Sequence, residues 1–203
     1  PAAGTVEALL RIGRSIGRRS ILIPTTDDGA LFVATHAAAL RESFWLTDLA
    51  PGLVGRLCSK RGMHALAREV GVPTAHAVFP RDRHEVHEFL RTAAFPVMLK
   101  GIDGVRLQER AGARMFIVRT ADELLARYDA LEDPAAPNLM LQEYIPGGDD
   151  TVWMFNGYFD ARSECLFGIT GKKLRQHPVG RGSTSLGVCL PNPAVEVTTP
   201  RQL

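Results

Sequence analysis

The sequence predicts an α/β chain made of three successive blocks: the later part of a doubly wound unit, a run of capped helices and short strands, and a pair of longer strands. Three observations predict it. Residues 4–43 run helix, strand, helix. Residues 59–145 alternate capped helices with short apolar strands. From Thr151 the pattern changes to two longer strands with no helix between them. The block limits are 1–58, 59–147 and 148–203.

The first block opens on Val6, Leu9, Leu10 and Ile16 at helical spacing, which predicts a helix over 4–17 with Arg11, Arg14, Arg18 and Arg19 on its solvated side. Ile21-Leu22-Ile23 reads as a short buried strand stopped by Pro24. Asp27-Asp28-Gly29 supplies a turn and cap for a helix over 30–43. A doubly wound unit needs a further strand upstream, so this block reads as a remnant.

In the second block Ser59 caps a helix over 60–70, which Gly71-Val72-Pro73 ends. A strand over 75–79 and a helix over 81–93 follow. Phe95-Pro96-Val97-Met98-Leu99-Lys100 is a buried strand that finishes on a lysine. Gly101, Gly104 and Gly112 punctuate a polar loop before a strand over 114–119. Thr120 and Glu123 match a capping box for the next helix, ended by Glu132-Asp133-Pro134. Leu139–Ile145 is the third strand, and residues 146–150 make a polar turn. The third block holds strands over 152–155 and 165–170, joined through Asn156-Gly157 and an aromatic stretch.

The 203 residues carry 24 Lys plus Arg against 22 Asp plus Glu, 23% charged and 45% hydrophobic. That balance excludes an acidic disordered tail and a strongly basic nucleic-acid binder. No apolar run reaches the roughly 20 residues of a membrane span. Cys58, Cys165 and Cys189 are scattered, which implies reduced thiols in a cytoplasmic protein and neither a disulfide framework nor a thiolate zinc site. Neither nucleic acid nor membrane is expected as a partner.

Several motifs fail on spacing. His84-Glu85-Val86-His87 is one residue short of the zinc-protease helix pattern. In Gly180-Arg181-Gly182-Ser183 the third glycine of a dinucleotide fingerprint is replaced by Ser185, and no strong strand precedes it. Gly171-Lys172-Lys173 lacks the rest of a Walker A loop. No Gly-x-Ser-x-Gly elbow occurs.

What survives is an ordered constellation: Lys60 opening a helix that ends Gly71-Val72-Pro73, Phe95-Pro96-Val97-Met98-Leu99-Lys100 at a strand end, and Leu141-Gln142-Glu143-Tyr144-Ile145-Pro146-Gly147 at the next edge. In this order and separation the residues resemble the ATP-grasp family, from about Ser59 to Asn192. The resemblance implies a partial ATP-grasp fold, a small lid subdomain and an incomplete larger one, preceded by the end of a Rossmann-like unit.

Residue by residue, it implies that Lys60 and Lys100 grip phosphate, and a lysine ending an apolar strand suits that task. Gln142, Glu143, Tyr144 and Ile145 match the nucleotide-binding hinge: the Glu143 carboxylate accepts from the adenine amino group, and the Tyr144 and Ile145 backbones pair with the ring edge. Asp150 takes the ribose hydroxyls, with Asp149 as the near alternative. Lys172 joins the triphosphate contacts, while Lys173 and Arg175 neutralise charge as the terminal phosphoryl group leaves. Strand alternation places Lys173 and Arg175 on one face and Lys172 on the other. Met98, Met140, Ile145 and Trp153 are candidate base-pocket residues, and His177 and Arg181 candidate substrate or phosphate contacts.

The family activates a carboxylate as an acylphosphate for attack by an amine or similar nucleophile, using ATP and Mg2+. The implied partners are therefore ATP and small-molecule carboxylate and amine substrates. Two departures stand out. Residues 101–112 are poorer in glycine than in many relatives, which makes Arg106 or Arg110 a candidate substitute for phosphate contacts. Leu190-Pro191-Asn192 supplies an asparagine without the preceding acid of the metal motif, so no metal ligand is assigned in this chain and the Mg2+ ligands are expected beyond residue 203. The alternative reading is a non-catalytic nucleotide-binding or structural module that keeps the fold.

Overall fold

The computed structural model describes residues 2–48, 52–148, 151–177 and 183–196. Contacts divide the chain into two compact units, Pro1–Leu66 and Ala67–Leu203.

The first unit runs α1 (Ala2–Ile16), β1 (Ser20–Ile21), α2 (Asp27–Thr35), α3 (Ala37–Leu40), β2 (Phe44–Trp45), α4 (Leu53–Leu57) and the start of α5 (Lys60–Glu69). Helix α1 buries Gly13, where a Cβ would meet Ser43 Cβ at 2.5 Å and the Phe44 ring at 3.0 Å. Strands β1 and β2 pair in parallel, Ser20 opposite Phe44. Arg19 fastens this pair: its guanidinium donates to the Arg41 and Phe44 carbonyls and lies 3.8 Å from the Trp45 ring centroid.

Three features of this unit differ from the sequence expectation. Ile21 and Ile23 are exposed, because a two-residue pair offers β1 one neighbouring strand and little to pack against. The helix over 30–43 is two helices broken at His36, where the Thr35 hydroxyl donates back to the Leu31 carbonyl at 2.7 Å and bends the turn. Its cap is Thr26, whose hydroxyl accepts from the Gly29 amide, so Asp27 and Asp28 fall in the first turn and complement the helix dipole.

The second unit contains α6 (Arg83–Leu90), α7 (Gly104–Ala111), α8 (Ala121–Leu131) and two separate sheets. Strands β3 (Ala77–Val78), β6 (Leu139–Glu143), β4 (Val97–Gly101) and β5 (Met115–Val118) form an antiparallel sheet in the order β3-β6-β4-β5. Alternation gives the sheet two faces. Val97, Leu99, Val118, Leu139 and Leu141 point to one face and pack with Val86 and Phe89 of α6, Leu107 of α7, and Leu124 and Tyr128 of α8. Burial, with Glu132 alongside, pushes the Tyr128 hydroxyl up to about 12.

The polar loop expected over 101–112 is helix α7 instead. The Asp103 carboxylate accepts from the Val105 and Arg106 amides, Leu107 is buried, and Gly112 closes the helix at φ +72°. The Asn138 side chain holds the helix entrance by accepting from the Asp103 amide at 2.8 Å and donating to its carbonyl.

The other sheet is antiparallel, in the order β7 (Trp153–Phe159), β8 (Cys165–His177), β9 (Ser183–Cys189). Asn156-Gly157 does not turn the chain. It continues β7, Gly157 facing Gly168 of β8. The turn lies at 160–164, where the Asp160 carboxylate accepts from the Arg162 and Glu164 amides and Ser163 takes φ +61°. β9 is a strand the sequence did not suggest; it places Ser185 on a sheet rather than at a helix start.

Candidate functional site

The face of the four-stranded sheet opposite its helices carries Met98 and Lys100 from β4, Met115 and Ile117 from β5, and Met140 and Gln142 from β6. This follows from the register: Met98 lies opposite Ile117 and Gln142, and Lys100 opposite Met115 and Met140. Three of the five methionines of the chain therefore surround one lysine. Thioethers make an adaptable apolar lining without competing strongly for hydrogen bonds. The Lys100 ammonium donates to the Gln142 amide oxygen at 3.0 Å, both side chains being half-buried. Sequence reasoning had Met98 and Met140 but missed Met115 and Ile117; counting by twos from Lys100 across the β4–β5 register finds both.

At the end of β6 the hinge residues leave the sheet. The Glu143 carboxylate accepts from the His76 amide at 2.8 Å, and the Glu143 amide donates to the His76 carbonyl at 3.0 Å. One oxygen of this carboxylate thus serves the strand edge rather than standing free for a base. Tyr144 follows half-buried, and Ile145 is 65% exposed just past the strand. Asp149 and Asp150 lie outside the described residues, as does Arg181.

Lys172, Lys173 and Arg175 sit in β8. Lys172 pairs with Trp153 and its Nζ lies 5.7 Å from that ring centroid, so Trp153 meets a cation within its own sheet. The β8–β9 register shifts between Lys173 and Arg175 and again before Gln176, so strict alternation breaks there. In a regular strand residues three apart face opposite ways, yet Lys173 Nζ donates to Gln176 Oε1 at 3.1 Å. Gln176 is buried, and Arg175 is exposed, its guanidinium donating to the Ser185 hydroxyl. His177 ends the strand, exposed.

Arg106 and Arg110 are engaged within the fold. Arg106 pairs with Asp133 at 2.9 Å, and Arg110 donates to the Ala130 and Glu132 carbonyls, both fixing α7 to the end of α8 and the segment after it. Lys60 opens α5 at the end of the first unit, behind the Ser59 cap, whose hydroxyl accepts from the Gly62 amide. Among the described residues no group of three or more His, Cys, Asp or Glu side chains is placed to hold a metal ion, and no helix is long and apolar enough to cross a membrane. Asn192 caps a short turn over 193–196: its side-chain oxygen accepts from Val195, and its amide donates to the hydroxyl of fully buried Thr170.

No protein-family model matches the chain. It is similar to a D-aspartate ligase of Enterococcus faecium (strain Aus0004), 24% identical over 200 residues covering 92% of this chain and 47% of the relative. Among solved structures it resembles N5-carboxyaminoimidazole synthase from Aspergillus clavatus in complex with ADP and 5-aminoimidazole ribonucleotide (TM-score 0.54, 13% identity, 97% of this chain and 47% of that one). It also resembles the ATP-grasp ligase PsnB with a minimal precursor (TM-score 0.50, 16% identity, 86% and 53%). The chain spans about half the length of the curated relative it matches. These likenesses show the fold: the chain carries a partial ATP-grasp fold, matching about half of each of those solved chains.

Proposed function

We propose that this chain is the nucleotide-binding part of a ligase that joins a carboxylate to an amine at the expense of ATP. The observation that carries the reading is Lys100 on a methionine-lined sheet face, one strand away from the hinge Glu143-Tyr144-Ile145. An apolar sheet face beside a half-buried cation suits a ligand with a flat base and a charged tail. The ADP held by a structural neighbour supports the same ligand class.

In this reading the backbone of Tyr144 and Ile145 meets the base edge, Lys100 and Lys172 meet phosphate oxygens, and Asp150 meets the ribose. Lys173 and Arg175 balance the charge that builds as the terminal phosphoryl group transfers. A carboxylate oxygen of the substrate attacks the terminal phosphorus and ADP leaves. The amine then attacks the acyl carbon, phosphate leaves, and the amine proton passes to solvent or a base. The described residues bring no metal-ligating cluster together, so the work derived for this chain is that of its lysines and arginines: binding, orienting and charge balance.

The name of the sequence relative makes D-aspartate, which carries both a carboxylate and an amine, the first substrate to try. Incubating the full-length protein with ATP, D-aspartate or other amino-acid carboxylates, and hydroxylamine should yield a hydroxamate together with phosphate. ATP consumption that is indifferent to every carboxylate, with no hydroxamate, would contradict the ligase reading.

A further inference from the structure

We propose that Gln142 is a positioning residue for Lys100, holding the ammonium at the phosphate site rather than contacting the nucleotide itself. The inference rests on the nucleotide-binding reading above. A lysine side chain is a flexible four-carbon stem carrying a compact charge, and fixing it costs rotamer freedom. The fold reduces that freedom beforehand. Register places Lys100 opposite Met140, and Gln142 opposite Met98, so the Lys100–Gln142 contact crosses the β4–β6 pair on the diagonal, a span that long side chains bridge. The distance is 3.0 Å and the contact is partly buried. Its flanks are Met98 and Met140, whose thioethers are only weak acceptors.

The chemistry of the partner matters as much as its position. An amide oxygen accepts from the ammonium without adding a compensating charge of its own. A carboxylate at the same place would bind Lys100 more strongly and present a negative charge toward an anionic ligand. Neutral glutamine orients the lysine without placing a negative charge beside it.

The test is a double-mutant cycle read by calorimetry with ATP and with adenosine, on full-length wild type, Gln142→Leu, Lys100→Ala and the double variant. Gln142→Leu should weaken ATP about tenfold, the scale of a hydrogen bond to a charged group, and leave adenosine unchanged. On the Lys100→Ala background the same change should alter ATP affinity less than about twofold. Gln142→Glu should weaken ATP more than Gln142→Leu does, with adenosine again unchanged; adenosine binding serves in every variant as the control for folding. If wild type binds ATP but the two substitutions add independently, or adenosine weakens as much as ATP, the positioning role is wrong and the nucleotide reading stands. If folded wild type binds neither ligand, both fall.

Discussion

Glu143 and His76 hold each other by two hydrogen bonds, carboxylate to amide at 2.8 Å and amide to carbonyl at 3.0 Å, and this clasp extends a strand pair that is otherwise two residues long. Glu143→Ala should therefore destabilise by about 1 kcal/mol and speed amide exchange at His76. Glu143→Gln keeps an acceptor at the same place and should lose less. Equal losses in urea unfolding would show that the carboxylate does not hold this edge.

Helix α7 stands where sequence suggests a loop, and one of its residues and its two caps make it so. Leu107 is buried against the sheet, so Leu107→Ala should cost roughly 2–5 kcal/mol. Asp103→Ala removes the cap and should cost about 1 kcal/mol. Gly112→Ala forces a side chain into φ +72° and should also destabilise, by about 1 kcal/mol. A loop would tolerate all three in thermal denaturation.

The Phe155 ring lies over both facing glycines of the β7–β8 pair. A Cβ at Gly157 would approach it to 2.6 Å, and one at Gly168 to 2.8 Å. Gly157→Ala and Gly168→Ala should each lower the melting temperature, although alanine suits a strand better than glycine elsewhere. On a Phe155→Ala background the penalty at Gly168 should shrink; an unchanged penalty would show that the ring is not its cause.

Three carboxylates sit below their ordinary range. Arg81 holds Glu85 down by side-chain and backbone hydrogen bonds; the Arg119 amide and then Arg127 hold Glu123; the Glu164 and Arg162 amides hold Asp160. A carboxyl lowered in the folded state stabilises above its unfolded value and loses that contribution as pH falls through the folded one. Stability should thus be flat above the ordinary glutamate value of 4.5 for these groups and decline below it. In urea unfolding across that range, Glu123→Gln should be less stable at neutral pH and show a shallower acid decline; an identical acid slope would contradict the assignment.

Elements written in local signals are legible in the sequence. The Ser59 and Thr120 caps sit at the helix starts they predict, and the apolar run ending in Lys100 is a strand. The parts that are not legible depend on partners far along the chain. The α7 entrance is held by Asn138, 35 residues from Asp103, and its few apolar positions lie between glycines that read as loop. The Lys173–Gln176 contact depends on the register of β9, which nothing local announces. Of the candidate site, Lys100, Gln142 and the methionines Met98 and Met140 were visible as residues. Their meeting on one face required the β4–β6 register.

The central claim is that ATP lies on the methionine-lined face against Lys100. Hydrogen–deuterium exchange of the full-length protein with and without ATP tests it most directly. The account predicts slowed exchange in peptides covering residues 97–101 and 139–145, and less slowing of 97–101 in Lys100→Ala at the same ATP concentration. Unchanged exchange in both peptides at saturating ATP, or protection confined to other segments, would contradict it.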